Sequence, residues 1–292
     1  MFDLDLVIEQ LANGIVSGSI YALVAVGMTM TFGVLRAINF AHGEYYMLGT
    51  FGAWYVIDRL GSHYLVSIVA AVLITAVIAA VIGFLVMQRL IAAPFQSGVL
   101  ATLGISLILQ NVVILAFGGG YKFFEGGYLE PVEIGPLFLA QQRILIVVAT
   151  LAVFLGLELM VRHTRLGKAM RAVSQNIQAC HVVGIEVEKV VLATFVIGTA
   201  LAAFSGVLTA PINTTVYGGM GEFITFKTFA IIIMGGMGNV RGTLVAGWLL
   251  GIIESYVAGF IGLQYRDAVG FVALIVMLMV RPHGLFSTRA RF

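Results

Sequence analysis

Arg36, Asn39, His42 and Glu44 fall within nine residues of one another, in the stretch Gly33-Val34-Leu35-Arg36-Ala37-Ile38-Asn39-Phe40-Ala41-His42-Gly43-Glu44. Apolar runs flank it on both sides. Groups of this kind are costly in hydrocarbon unless they pair, are buried in protein or face a water-filled cavity. Gly33, Gly43 and Gly49 let the backbone break or approach a neighbour closely. A polar break between apolar runs suits a solute path, because freed backbone groups can line a cavity but cannot face lipid. Glu254, near the middle of a later apolar run, adds one more ionisable group. Enzyme chemistry finds no support. The chain has no GxxxxGK[ST] run to cradle a phosphate, and Arg165-Leu166-Gly167-Lys168-Ala169 lacks the leading glycine and the hydroxyl. HExxH is absent. His42-Gly43-Glu44 is too compact to set metal ligands on one helical face, so no metal site is expected. No Ser and His fall at a nucleophile's spacing.

The elements that carry these residues follow from composition. Of 292 residues, 60% are hydrophobic and 10% charged, against about 25% charged in an ordinary soluble domain. Mean hydropathy is +1.05. The expected fold is an all-α polytopic membrane protein, a single transmembrane domain over 1–292. It has eight or nine transmembrane segments, some broken into half-helices. The net charge of +2 carries no nucleic-acid signal. A lone Cys180 excludes an intrachain disulfide and reads as a structural thiol. The start of the chain holds Asp3, Asp5 and Glu9 but no basic residue, and the apolar run after it is too long for a signal peptide. An uncleaved first membrane helix is expected.

A span needs about 20 apolar residues. Candidate spans are 11–35, 39–57, 64–87, 98–117, 144–161, 190–210, 243–262 and 268–280. The run 228–239 is too short to cross alone and reads as a half-helix. Gly14 and Gly18, and again Gly247 and Gly251, form GxxxG pairs suited to close helix packing. Gln110 and Asn111 are expected to hydrogen-bond a neighbouring helix. The glycines and asparagines around Asn39 and Asn239 echo each other faintly, which points to an inverted repeat with a path at its interface, running by Asn39, Phe40, His42, Glu44, Gly238, Asn239 and Glu254. Glu44 could equally be a structural partner of Arg36 or His42, and Glu254 a polar lock inside the bundle.

Orientation follows from the positive charges. With the N-terminus outside and one crossing per segment, 11 of the 16 Lys and Arg lie on the inner side and 5 (Arg59, Lys122, Arg143, Lys227 and Arg266) on the outer side, as the positive-inside rule requires. That places 118–142 and 211–227 outside, and 162–189 and the 281–292 tail in the cytoplasm. Within 162–189, residues 165–185 have helical apolar spacing, with Ala169, Ala172, Ile177 and Cys180 on one stripe and Gly184 as a stop. Such a helix fits a groove on a partner, or lies as a linker on the membrane surface.

Several strings together resemble a known family. Ala37-Ile38-Asn39-Phe40-Ala41-His42-Gly43-Glu44, then Tyr46-Met47-Leu48-Gly49, is similar to the N-terminal signature of ABC-importer permeases of the branched-chain amino acid type. Gly18-Ser19-Ile20-Tyr21-Ala22-Leu23 and Gly235-Gly236-Met237-Gly238-Asn239 with Gly242 fit the same pattern. The resemblance covers essentially the whole chain and implies the smaller, H-type permease subunit, in the inner membrane. Implied partners are a second, M-type permease, two ATPase subunits and a periplasmic solute-binding protein. ATP and Mg would sit on the ATPases, with no cofactor in this chain. Gly167, Ala169, Arg171, Ala172, Asn176, Ala179, Gly184 and Ile185 resemble the coupling helix that such permeases offer to their ATPases, although the general Glu-Ala-Ala run is missing. Two other readings compete. A secondary transporter would use Glu44, His42 or Glu254 as a proton site and need no ATPase. A scaffold would bind through 165–185 and move no solute.

Overall fold

Apolar runs of this length become helices because only a helix satisfies its backbone groups within one lipid-embedded segment. A computed structural model describes residues 4–35, 37–134, 137–281 and 284–286. In order, its helices are α1 (Leu4–Leu35), α2 (His42–Leu60), α3 (Tyr64–Leu85), α4 (Phe95–Phe117), α5 (Gln141–His163), α6 (Arg165–Gln175), α7 (Ile177–Val182), α8 (Val187–Asn213), α9 (Met220–Gly235), α10 (Val240–Phe260) and α11 (Arg266–Val280). Short 3-10 turns, Met87–Ala92 and Leu263–Tyr265, precede α4 and α11. Four short strands lie at one end of the bundle, the hairpin end. β1 (Lys122–Phe123) pairs antiparallel with β4 (Thr215–Val216), and β2 (Pro131–Ile134) with β3 (Leu137–Ala140). The opposite end carries α6 and α7.

Among the described residues, seven segments are long and apolar enough to cross a membrane: α1, α3, α4, α5, α8, α10 and Leu263–Val280. That is fewer than eight or nine, because α2 and α9 do not qualify alone. α9 runs Met220–Gly235, so the half-helix read over 228–239 starts earlier and stops sooner. The stretch 211–227 is correspondingly not one loop. Pro211–Asn213 belong to α8, and Met220 onward to α9. Likewise 162–189 is mostly helical, and most of the 281–292 tail lies outside the described residues.

α1 and α8 form the centre, while α3, α4, α5 and α11 turn most of their surface outward. The two GxxxG pairs meet each other. A Cβ at Gly251 would stand 2.5 Å from the Gly18 Cα, and one at Gly14 2.6 Å from the Ile252 Cα. Only glycine permits α1 and α10 to come this close. Beside the seam, Trp248 Nε1 donates to Ser19 Oγ (3.0 Å), and the Thr29 and Thr243 hydroxyls meet at 2.8 Å.

Candidate functional site

The sequence-predicted path residues fall into three separate clusters. The first is where α2 and α9 begin. After Leu35 the chain turns back along α1, so that His42 Nε2 donates to the Val24 carbonyl at 3.0 Å. Val24 lies about 16 Å of helical rise from the Leu35 end. α2 therefore starts deep inside the bundle, and α9 starts beside it, with Gly221 packed on Gly43 and no room for a side chain between them. The Gly43 N–H donates to Thr225 Oγ1 at 3.0 Å. Glu44 is fully buried in the first turn of α2, where the helix dipole favours a carboxylate. Its Oε1 accepts from Ser106 Oγ (2.9 Å) and Gln110 Nε2 (2.8 Å) of α4. Its Oε2 is buried without a hydrogen-bond partner and faces Gly221.

The Glu44 partners thus come from α4, not from His42, and Arg36 lies outside the described residues. Gln110 bonds a neighbouring helix, whereas Asn111 bonds the Leu107 carbonyl of its own. Asn39 Oδ1 accepts from the Ala41 N–H (3.1 Å), while its Nδ2 is buried and unpartnered. Phe40 meets Phe229 of α9 with ring centroids 6.2 Å apart.

The second cluster surrounds Glu254. This carboxylate is fully buried, and its Oε2 accepts from the Tyr21 hydroxyl (2.7 Å) and from Lys227 Nζ (3.0 Å). Arg266 Nε lies 3.5 Å away. Lys227 also pairs with Asp267 at 3.0 Å. Four elements, α1, α9, α10 and the start of α11, therefore converge on one carboxylate. Lys227, Tyr21, Arg266 and Asp267 also line a cavity of about 760 Å³. Gln10, Asn13, Arg143 and Asn213 place its mouth at the hairpin end. Sequence reading missed this cluster by assigning Lys227 and Arg266 to loops. The signal is present: Lys227 is the one charged residue in a run from Phe223 to Met234 whose other members are apolar or threonine, and an intramembrane cation demands a partner.

The third cluster lies at the other end. Gly238 packs opposite Gly33, with a Cβ there 3.7 Å from the Gly33 Cα. Asn239 Oδ1 caps α10 by accepting from the Gly242 N–H (3.0 Å), and its Nδ2 donates to the Phe286 carbonyl (2.7 Å). Gly238 and Asn239 are thus not brought to Glu44 or Glu254. Arg241 and Arg162 both pair with Glu158, beside a second cavity of about 410 Å³.

At this end the helix expected over 165–185 is two. Thr164 caps α6 by accepting from the Gly167 N–H (3.0 Å), and Asn176 ends α6 and caps α7 by accepting from the Ala179 N–H (3.0 Å). The buried stripe is Gly167, Met170, Val173 and Cys180, while Ala169 and Ala172 are half-buried. Arg171 donates to the Val161 carbonyl of α5. Gly184, at φ +78°, reverses the chain, and the Ile185 N–H closes on the Cys180 carbonyl at 2.9 Å, a Schellman-type stop. Just before it, Val182 and Val183 are 88% and 71% exposed. They are the apolar tip that the sequence reading did not single out.

With this geometry in place, known proteins supply the context. The pattern of the family described as "Branched-chain amino acid transport system / permease component" matches residues 10–280. The high-affinity branched-chain amino acid transport system permease protein BraD of Pseudomonas aeruginosa is 33% identical, over 96% of this chain and 95% of that protein. LivH of Escherichia coli, a permease protein of the same description, is 31% identical over the same shares. LivM of Escherichia coli, likewise a permease protein, is 31% identical over 48% of this chain and 33% of its own length. Among solved structures, PsaBC from Streptococcus pneumoniae in complex with Fab shares the fold, with a TM-score of 0.53, 8% identity and coverage of 93% and 91% of the two chains.

Proposed function

This chain belongs to the family of branched-chain amino acid transport system permeases, and we propose that it is one membrane subunit of an ABC importer that moves branched-chain or related hydrophobic amino acids. The observation that carries this reading is the similarity to BraD and LivH over nearly the whole of each chain, with α6–α7 and both glycine breaks inside the matched region. ATP hydrolysis belongs to separate ATPase subunits, which engage α6–α7 around Val182 and Val183. A solute-binding protein delivers solute at the hairpin end. A second permease of the LivM kind completes the membrane pair. Partial likeness to LivM supports a related partner.

The hairpin end faces outward and the α6–α7 end faces the cytoplasm. Two of the five cations assigned to the outer side, Lys227 and Arg266, sit in the buried cluster rather than in loops. Only Arg59, Lys122 and Arg143 then remain outside, which strengthens the positive-inside asymmetry. The deciding experiment reconstitutes the chain with its co-expressed partners and follows labelled leucine entering vesicles. Uptake that requires ATP and the solute-binding protein supports the importer. Uptake by this chain alone, driven by a proton gradient, would replace it with a secondary transporter.

A further inference from the structure

The cavity around Lys227 and Arg266 has a charge balance that its own residues do not close. Three cations border it, Arg143, Lys227 and Arg266, against two carboxylates, Glu254 behind its wall and Asp267 at its rim. Glu254 serves both Lys227 and Arg266. Asp267 reaches Lys227 alone, and its side chain is 65% exposed. Among the described residues, Arg143 donates to the Asn13 amide oxygen and to no carboxylate. Arg266 donates through one terminal nitrogen to Ser17 (3.2 Å) and Tyr21 (3.5 Å), while its Nε is buried with no hydrogen-bond partner. Its one carboxylate, Glu254, meets this guanidinium through a single oxygen at 3.5 Å, not through the two parallel bonds that its fork geometry can make. Val16, Ile20, Ile212 and Ile224 supply apolar lining. The volume, about 760 Å³, lies within the usual range for small-molecule sites. Ionisable groups placed inside a membrane bundle beside a cavity mark a solute path by default.

We infer that this cavity is a binding site within this chain for a free aliphatic α-amino acid, carboxylate toward Arg266, ammonium toward Asp267, side chain against the isoleucines. The site rests on the permease reading and adds to it. It gives the membrane subunit its own recognition of both charged ends of the solute, separate from any solute-binding protein. Glu254 is a positioning residue, holding Lys227 and Tyr21 in place without touching solute.

The test uses the full chain in lipid nanodiscs, without a solute-binding protein, and three probes. These are L-leucine, 4-methylpentanoate, which lacks the amine, and 3-methylbutylamine, which lacks the carboxylate. Binding is read by saturation-transfer NMR. Arg266→Gln should weaken leucine and 4-methylpentanoate by at least about tenfold, the loss expected for one charge-assisted hydrogen bond, and leave 3-methylbutylamine unchanged. Asp267→Asn should do the reverse for the two analogues. Ile212→Trp, which fills the cavity without touching a charge, should exclude all three and guards against a misfolded Arg266 variant. Unchanged leucine binding in these variants, or no leucine binding by the wild-type chain while its complex still imports leucine, overturns the site and leaves the permease reading standing. A wild-type complex that imports no leucine would instead overturn the reading beneath it.

Discussion

Replacing the buried ion pair one partner at a time, and then both together, separates its structural from its functional part. Glu254 is fully buried, and the Lys227 side chain is 11% exposed. Removing one partner of such a pair costs about 3–5 kcal/mol, because the other is left charged and uncompensated. Glu254→Leu deprives two cations at once. Lys227 keeps the Tyr21 hydroxyl and, of carboxylates, only the largely exposed Asp267, and Arg266 keeps none, so the loss should be near the top of that range, about 5 kcal/mol. Lys227→Met leaves Glu254 with the Tyr21 hydroxyl at 2.7 Å and Arg266 at 3.5 Å, so about 3 kcal/mol is expected. The double variant exchanges both charges for apolar groups. It should lose at least about 3 kcal/mol less than the two single losses added together. Reversible unfolding in mixed micelles gives the three values, and leucine uptake by the reconstituted complex gives the second readout. The double variant should be about as stable as Glu254→Leu alone, since Arg266 still lacks its carboxylate, and uptake should stay lost, because Lys227 also lines the cavity. Additive losses would mean that the contact at 3.0 Å does not couple the two residues, and the account of the cluster would be wrong.

Three further outcomes test other parts of the structure. Gly251→Val forces α1 away from α10 and should cost about 1–3 kcal/mol by overpacking, read as a lower melting temperature, whereas Gly104→Ala, where a Cβ meets nothing within 4 Å, should melt like the wild type. Glu44→Leu orphans Ser106 and Gln110 and should cost about 1–3 kcal/mol; no shift in melting would remove the α2–α4 bond from the account. Val182→Asp with Val183→Asp should leave insertion and melting unchanged but cut recovery of ATPase subunits in a mild-detergent pull-down more than tenfold, and Gly184→Pro, which cannot adopt φ +78°, should do the same.

The parts of this fold legible in the sequence are those written in short-range pattern. Gly14, Gly18, Gly247 and Gly251 announce a close helix seam because only their spacing matters, and the structure seats one pair on the other. The break before His42 and the existence of a short run before Asn239 are visible because polarity and glycine interrupt apolar runs there, although the bounds 228–239 miss the first two turns of α9. What stayed hidden depends on partners far away in the chain. Tyr21 and Glu254 are separated by 233 residues, and no local window joins them. Glycines before Lys227 suggest a loop, yet its long apolar stem lets a helix carry it with the charged tip turned to Glu254. Asn176 divides α6 from α7 through one cap hydrogen bond, a competition between side chain and helix that apolar spacing does not register.

α9 ties these places together. Its first turn presses Gly221 on Gly43 beside the unpartnered oxygen of Glu44. Two turns on, Lys227 reaches into the ion cluster. At its far end Gly235 abuts Gly242 of α10, and the Met234 carbonyl accepts from the Leu285 N–H at 2.8 Å. A 16-residue helix is about 24 Å of rigid rod, so its two ends cannot move independently. At the Gly43 end the glycine contact is reinforced by the Gly43 N–H bond to Thr225 and by Phe40 against Phe229, while at the other end the backbones of Gly235 and Gly242 meet directly. A shift at the Gly235 end, beside the turn that leads to Arg241 and its Glu158 partner, must therefore reach Lys227 and the cavity wall. In this geometry α9 joins the cavity wall at Lys227 to the turn before Arg241, and through Arg241 to Glu158 of α5, the helix that leads into α6.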